Sequence, residues 1–157
     1  MGRIEMSYEE LLERYADGER DFSNCILSGV CEIAGANLQG AIFVNSDFSE
    51  QDWSGTNLSG ANLSGAGLEQ AGFENANLSG ANLNGAFLNQ SEFIGADLTG
   101  AYLINAHKIE FANFCQANLT NAILRNAANE REPFILDEAI FYNTIMPDGS
   151  IRNKVVS

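Results

Sequence analysis

Residues 56–85 read TNLSG ANLSG AGLEQ AGFEN ANLSG ANLNG, six consecutive five-residue units whose third residue is bulky and apolar and whose first is Ala or Thr. Stepping by five in both directions gives Ile33, Leu38, Phe43, Phe48, Trp53, Leu58, Leu63, Leu68, Phe73, Leu78, Leu83, Leu88, Phe93, Leu98 and Leu103 without a break. Two residues before each lies a small residue, from Cys31 and Ala36 through Ala96 and Ala101, with Gln51 the one exception. A period of five matches neither the 3.6-residue stripe of a helix nor the two-residue alternation of a strand, so a stacked repeat is what remains.

One large and one small apolar residue cannot bury themselves within five residues. Each unit must therefore share a core with its neighbours. If four units close a square coil, side identity should return every 20 residues. It does: Leu38, Leu58, Leu78 and Leu98 fall on one side, and Trp53, Phe73, Phe93 and, after a one-residue slip, Phe114 fall on the side before it. Gly40, Gly60, Gly80 and Gly100 keep the same beat, where a sharp corner needs backbone freedom.

The units Ala61-Asn62-Leu63-Ser64-Gly65, Ala76-Asn77-Leu78-Ser79-Gly80, Ala81-Asn82-Leu83-Asn84-Gly85 and Ala96-Asp97-Leu98-Thr99-Gly100 resemble the A-(N/D)-L-x-x consensus of the pentapeptide-repeat family. That resemblance implies an all-β solenoid, a right-handed quadrilateral β-helix, over residues 20–146 with about six coils. The segments Glu10 to Phe22 and Pro147 to Ser150 resemble cyanobacterial-type members with an N-terminal helical cap.

The beat slips by one residue between Leu27 and Ile33 and again between Leu103 and Ile109, which predicts a bulge at a corner in each place. It fails at Asn129 and over Glu130-Arg131-Glu132-Pro133, predicting a loop near 128–135, before Leu136, Phe141 and Met146 make one more partial coil. Residues 147–157 are expected to form a C-terminal tail in which Pro147-Asp148-Gly149 turns away and Ser150 to Ser157 is loosely held. At the front, residues 1–19 read as a capping helix: Ser7-Tyr8-Glu9-Glu10 is a capping box, and Tyr8, Leu11, Leu12 and Tyr15 share one helical face. That helix would cover the strand edges of the first coil.

Chemistry is sparse. The single histidine, His107, lies beside a slip and reads as a corner residue, so no zinc cluster and no His-based nucleophile system can be assembled. Cys25 and Cys31 occupy successive small inward positions, where they serve either as compact apolar residues or as a bracing disulfide. Carboxylates such as Asp47, Glu50 and Asp52 stand on a convex rod without a cleft to perturb them. The expectation is no enzyme, no catalytic residue, no metal and no cofactor.

Charge carries more. The 157 residues hold 21 acids against 8 Lys and Arg, a net charge of −13, which argues against direct nucleic-acid binding because phosphate contacts need cations. Residues 21–107 contain nine acids and no Lys or Arg. On the four-sided assignment Asp47, Glu50 and Glu69 occupy one side and Glu32, Asp52, Glu74 and Glu92 the next, a candidate partner-binding acidic ridge. Uncompensated acid also keeps a rod soluble and monomeric, so two readings of the ridge stand side by side. Outward Ile42, Val44, Tyr102, Ile104 and Ile123 share another side and suggest a patch for partner binding or self-association.

No apolar run reaches the length of a membrane span, and the N-terminal residues lack a secretory pattern, so a cytoplasmic protein, monomeric or weakly dimeric, is expected. The leading functional expectation is a non-catalytic protein-interaction module whose partner is another protein. The alternative comes from the resemblance: some pentapeptide-repeat proteins are similar to duplex DNA in size and charge and occupy the DNA site of gyrase.

Overall fold

The structure is a computed structural model describing residues 2–28, 33–127 and 135–154. Four columns of parallel bridges build it. On side 1 Asn37, Asn57, Asn77, Asp97, Asn118 and Ile140 lie one above another. Side 2 stacks Asp21, Ile42, Asn62, Asn82, Tyr102, Ile123 and Ile145. Ile26, Asp47, Gly67, Phe87 and His107 make side 3, and Asp52, Gly72, Glu92, Asn113 and Ile135 make side 4. Steps of 20 to 22 residues between rows give a four-sided parallel β-helix. The six steps of side 2, at about 4.8 Å each, span about 29 Å.

Backbone hydrogen bonds hold neighbouring coils together. Leu58 N–H donates to the carbonyl of Asn77 at 2.8 Å, and Asn57 N–H to that of Ala36 at 2.9 Å, so one unit is bonded to the coils on both sides. Corners close within the coil, as where Ala61 N–H donates to Leu58 O at 2.9 Å. The residue before that closure is left-handed: Gly60 has φ 65°, and where glycine is missing Asn45, Gln70 and Glu50 take φ 56°, 58° and 63°. The consensus Asn or Asp is a turn device. The Oδ1 atoms of Asn57, Asn62, Asn77 and Asp97 accept the backbone N–H two residues on at 3.0–3.1 Å, satisfying a corner donor.

Among the described residues the central side chains from Phe22 to Met146 point inward and are excluded from solvent, except Leu136, which is only partly buried. Side 4 carries an aromatic column: Phe73, Phe93 and Phe114 stack with centroids 5.0 Å apart and planes within 4°, and Trp53 lies 6.3 Å above Phe73. Coil spacing and ring spacing agree, so one residue type fills the column without strain. The inward hydroxyls are all satisfied by backbone: Thr56 donates to Trp53 O at 2.7 Å and Ser91 to Leu88 O at 2.8 Å within the coil, and Ser46 to Phe22 O at 3.0 Å and Thr144 to Leu119 O at 2.6 Å in the neighbouring coil. The indole Nε1 of Trp53 is buried without a hydrogen-bond partner.

Strand β1 (Ile4–Met6) precedes helix α1 (Tyr8–Ala16) and pairs in parallel with β2 (Cys25–Leu27), extending side 3 by one level. Ser7 Oγ accepts Glu10 N–H at 3.2 Å, as the capping box predicts. Leu11 is fully buried, Leu12 and Tyr15 are partly so, and the Tyr15 hydroxyl donates to Gln39 O at 2.8 Å.

Two expectations are corrected. The extra residue of the second slip lies within a side and not at a corner: Lys108, left-handed at φ 56°, bulges out directly after the ladder residue His107, and the 3₁₀ turn Ile109–Phe111 returns Ile109 to the core. Within the tail, Ile151–Lys154 is not loose. Strand β4 (Ile151–Lys154) folds back antiparallel on β3 (Phe141–Ile145), because the last coil otherwise presents unpaired backbone groups. The slip between Leu27 and Ile33, Cys31 with its disulfide alternative, Glu32 and the loop over 128–134 lie outside the described residues. Cys25 is buried, which pushes its thiol pKa up.

Candidate interaction surface

Asp47 and Asp52 occupy ladder positions of sides 3 and 4 in one coil, with Glu50 in the left-handed corner between them. Glu69 and Glu74 follow the core residues Leu68 and Phe73 of the next coil, and Glu92 stands on side 4 one coil further. Six of the seven candidate acids thus share two adjacent sides and their corners over three coil levels, about 10 Å along the rod.

The ladder places glycine beneath each aspartate, Gly67 under Asp47 and Gly72 under Asp52. Neither glycine has positive φ, so the turn does not require them. What they provide is room. A Cβ on Gly72 would lie 2.8 Å from Glu74 Oε2, and one on Gly67 would lie 3.0 Å from Asp47 Oδ1. The carboxylates fold across bare backbone.

Serines organise these acids. Ser49 Oγ lies 2.8 Å from Asp47 Oδ1 and 3.3 Å from Glu69 Oε2, and Ser54 Oγ donates to Glu74 Oε2 at 2.8 Å. The Ser54 hydroxyl, whose one proton Asp52 and Glu74 compete for, and then its backbone N–H at 2.9 Å hold the Asp52 carboxyl below its ordinary pKa. Glu92 Oε2 is buried without a hydrogen-bond partner. Arg3 Nη1 donates to Asp47 Oδ2 at 2.6 Å, the one salt bridge to the ridge among the described residues.

Ile42, Tyr102 and Ile123 do share side 2, but Asn62 and Asn82 interrupt them, the Asn82 amide donating to Asn62 Oδ1 at 3.2 Å. His107 is a ladder residue of side 3, not a corner residue. Its ring stacks on exposed Phe87 with centroids 4.6 Å apart and planes 21° apart. Sequence reading missed this pair, although residues 87 and 107 are one 20-residue beat apart. Among the described residues no group of His, Cys, Asp and Glu has the geometry to hold a metal, and no helix is long and apolar enough to cross a membrane.

Comparison with known proteins agrees with this geometry. The family profile described as pentapeptide repeats matches in eight copies over residues 31–70, 41–79, 71–107 and 109–128. No curated protein matches the chain. Among solved structures, alr5209, a pentapeptide repeat protein from Nostoc PCC 7120, is 34% identical with a TM-score of 0.52, over 75% of this chain and 84% of its own. QnrB1, a plasmid-mediated fluoroquinolone resistance protein, aligns with a TM-score of 0.56 at 19% identity, over 76% of this chain. This chain spans only 59% of the QnrB1 structure, and at that identity the likeness is one of fold. With its four continuous ladders and its tandem consensus units, the chain belongs to the pentapeptide-repeat family, whose fold is the right-handed quadrilateral β-helix.

Proposed function

We propose that the rod is a non-catalytic interaction module that presents the acidic face of Asp47, Glu50, Asp52, Glu69, Glu74 and Glu92 to another protein. One observation carries this reading. At the ladder position Asn57, Asn62 and Asn77 satisfy the corner N–H as well as aspartate does, so the charges of Asp47 and Asp52 are not needed for the turn. Glycine beneath each one gives up the side-chain ladder that stacked asparagines form, as Asn57 forms with Asn37 at 3.0 Å.

In this reading about six coils form the presenting rod, α1 caps its first coil, and the protein acts in the cytoplasm as a monomer or weak dimer without contacting nucleic acid directly. The test compares the native chain with a variant carrying Asp47→Asn, Glu50→Gln, Asp52→Asn, Glu69→Gln and Glu74→Gln. These changes preserve side-chain shape, and for the aspartates the turn bond. Affinity capture should recover a partner with the native chain only; recovery by both would remove the acidic face from the proposal.

A second reading is a DNA-mimicking modulator of gyrase, favoured by the stretch from residue 21 to 107 with nine acids and no base. Supercoiling assayed across a titration of native and neutralised protein separates the two. Inhibition by the native protein alone supports the mimic, and full activity at excess protein removes it.

A further inference from the structure

The outward surface changes character at the bulged coil. On side 3 the column descends from Asp47 through the bare Gly67 to the Phe87–His107 stack, and both rings are exposed. Tyr102 faces outward on side 2 of the coil that holds His107, and Phe111 follows in the 3₁₀ turn; Phe87, Tyr102 and Phe111 are 41%, 44% and 50% exposed. Elsewhere the same ladder position is filled mainly by Asn, Asp or Gly. Aromatic rings at this exposure cost solubility, and no turn bond explains them.

We propose that the Phe87–His107 shelf docks an arginine side chain carried by an otherwise apolar segment of a partner protein. This rests on the reading of the rod as a protein-interaction module and names the chemistry of its partner. A guanidinium stacks flat on an aromatic face and is less strongly hydrated than an ammonium, so it suits a ring that is open on one side. Glu69 lies one coil above Phe87 and Asp47 two coils above, at about 5 and 10 Å along the rod, within reach of that arginine or of the next cation in an extended segment. Side 3 already accepts such a group from within the chain: Arg3 sits on Asp47 at 2.6 Å. An anionic partner is disfavoured by residues 21–107, which hold nine acids and no Lys or Arg and of whose described acids only Asp47 is in a salt bridge, whereas a cationic one is drawn to them.

The experiment is fluorescence anisotropy of the full chain with a fluorescein-labelled dodecamer repeating Gly-Arg-Leu. Two control peptides replace every arginine by lysine or every leucine by serine. Phe87→Ser and Phe87→Leu remove the ring at an outward position, with circular dichroism verifying the fold of each. The expected result is saturable binding of the Gly-Arg-Leu peptide, weakened about tenfold by either Phe87 variant and several-fold by either control peptide. Equal binding by native protein and both Phe87 variants overturns the proposal, and if neutralising the acids then abolishes binding the acidic face stands without the shelf. Absence of binding by native protein at millimolar peptide also overturns it.

Discussion

Replacing Phe93 by alanine tests whether the side 4 aromatics are one shared core. Phe93 is fully buried and lies 5.0 Å from both Phe73 and Phe114, with planes within 4°. Burial of the side chain contributes about 1.5–3 kcal/mol, and each ring pair adds about 0.5–1.5 kcal/mol. The loss should therefore be about 3–5 kcal/mol, in line with other buried Phe to Ala changes. Phe93→Leu places in side 4 the residue that fills sides 1 and 2 at Leu78 and Leu83, so it should cost less than half as much. Urea unfolding followed by circular dichroism and by the fluorescence of Trp53, the only tryptophan, reads both quantities. Trp53 lies two coils from Phe93, so if the coils share one core the two probes shift together. A loss below about 1 kcal/mol for Phe93→Ala, or a tryptophan transition unmoved while the circular dichroism transition shifts, would refute the continuous core.

Trp53→Phe should change stability by no more than about 1 kcal/mol, because removal of the unpartnered indole N–H offsets lost area, whereas Trp53→Ala should cost about 3–5 kcal/mol in the same assay. Gly60→Ala should cost about 1 kcal/mol through its φ of 65° alone, with open space around the new methyl group. Gly72→Ala should be nearly neutral to thermal unfolding, since only the flexible end of Glu74 has to move. The Asp52 carboxyl is depressed in the folded chain, so its contribution is present above the unfolded carboxylate pKa near about 4 and is lost as pH falls through the lower folded value. Ser54→Ala should raise that pKa part of the way back in a carbon-detected NMR titration, because the backbone N–H at 2.9 Å remains.

The period of five was legible because the bulky and small positions both have a physical necessity: each unit must contribute to a core it cannot enclose alone. The 20-residue beat also ordered the sides, so the columns of Leu58 and of Phe73 could be assigned before any coordinates. What escaped was set by partners far away in sequence. Strand β1 is three residues long, and only Cys25–Leu27 gives it a reason to exist. Strand β4 has four exposed residues and no apolar pattern of its own, and it is specified by the open edge of the last coil. The spacing from Leu103 to Ile109 announced an extra residue, but the corner it pointed to was wrong, because a side can absorb one as well; the left-handed Lys108 places it in the side.

The ridge was legible in a different way. Counting acids found the residues, but their significance depends on what the alternative at each position would have done. Asn62 and Asn82 show that the ladder position works with a neutral amide and gains a side-chain bond between coils. Asp47 and Asp52 forgo that bond, and the rows beneath them have lost their side chains at Gly67 and Gly72, the space going to Asp47 and Glu74. A sequence shaped only for coil stability would keep asparagine in those rows, and one shaped only for solubility has no need to set its acids on two sides of three adjacent coils. The arrangement therefore argues for a surface whose charge is placed and not merely abundant, which is why neutralisation with the turn bonds retained is the informative perturbation.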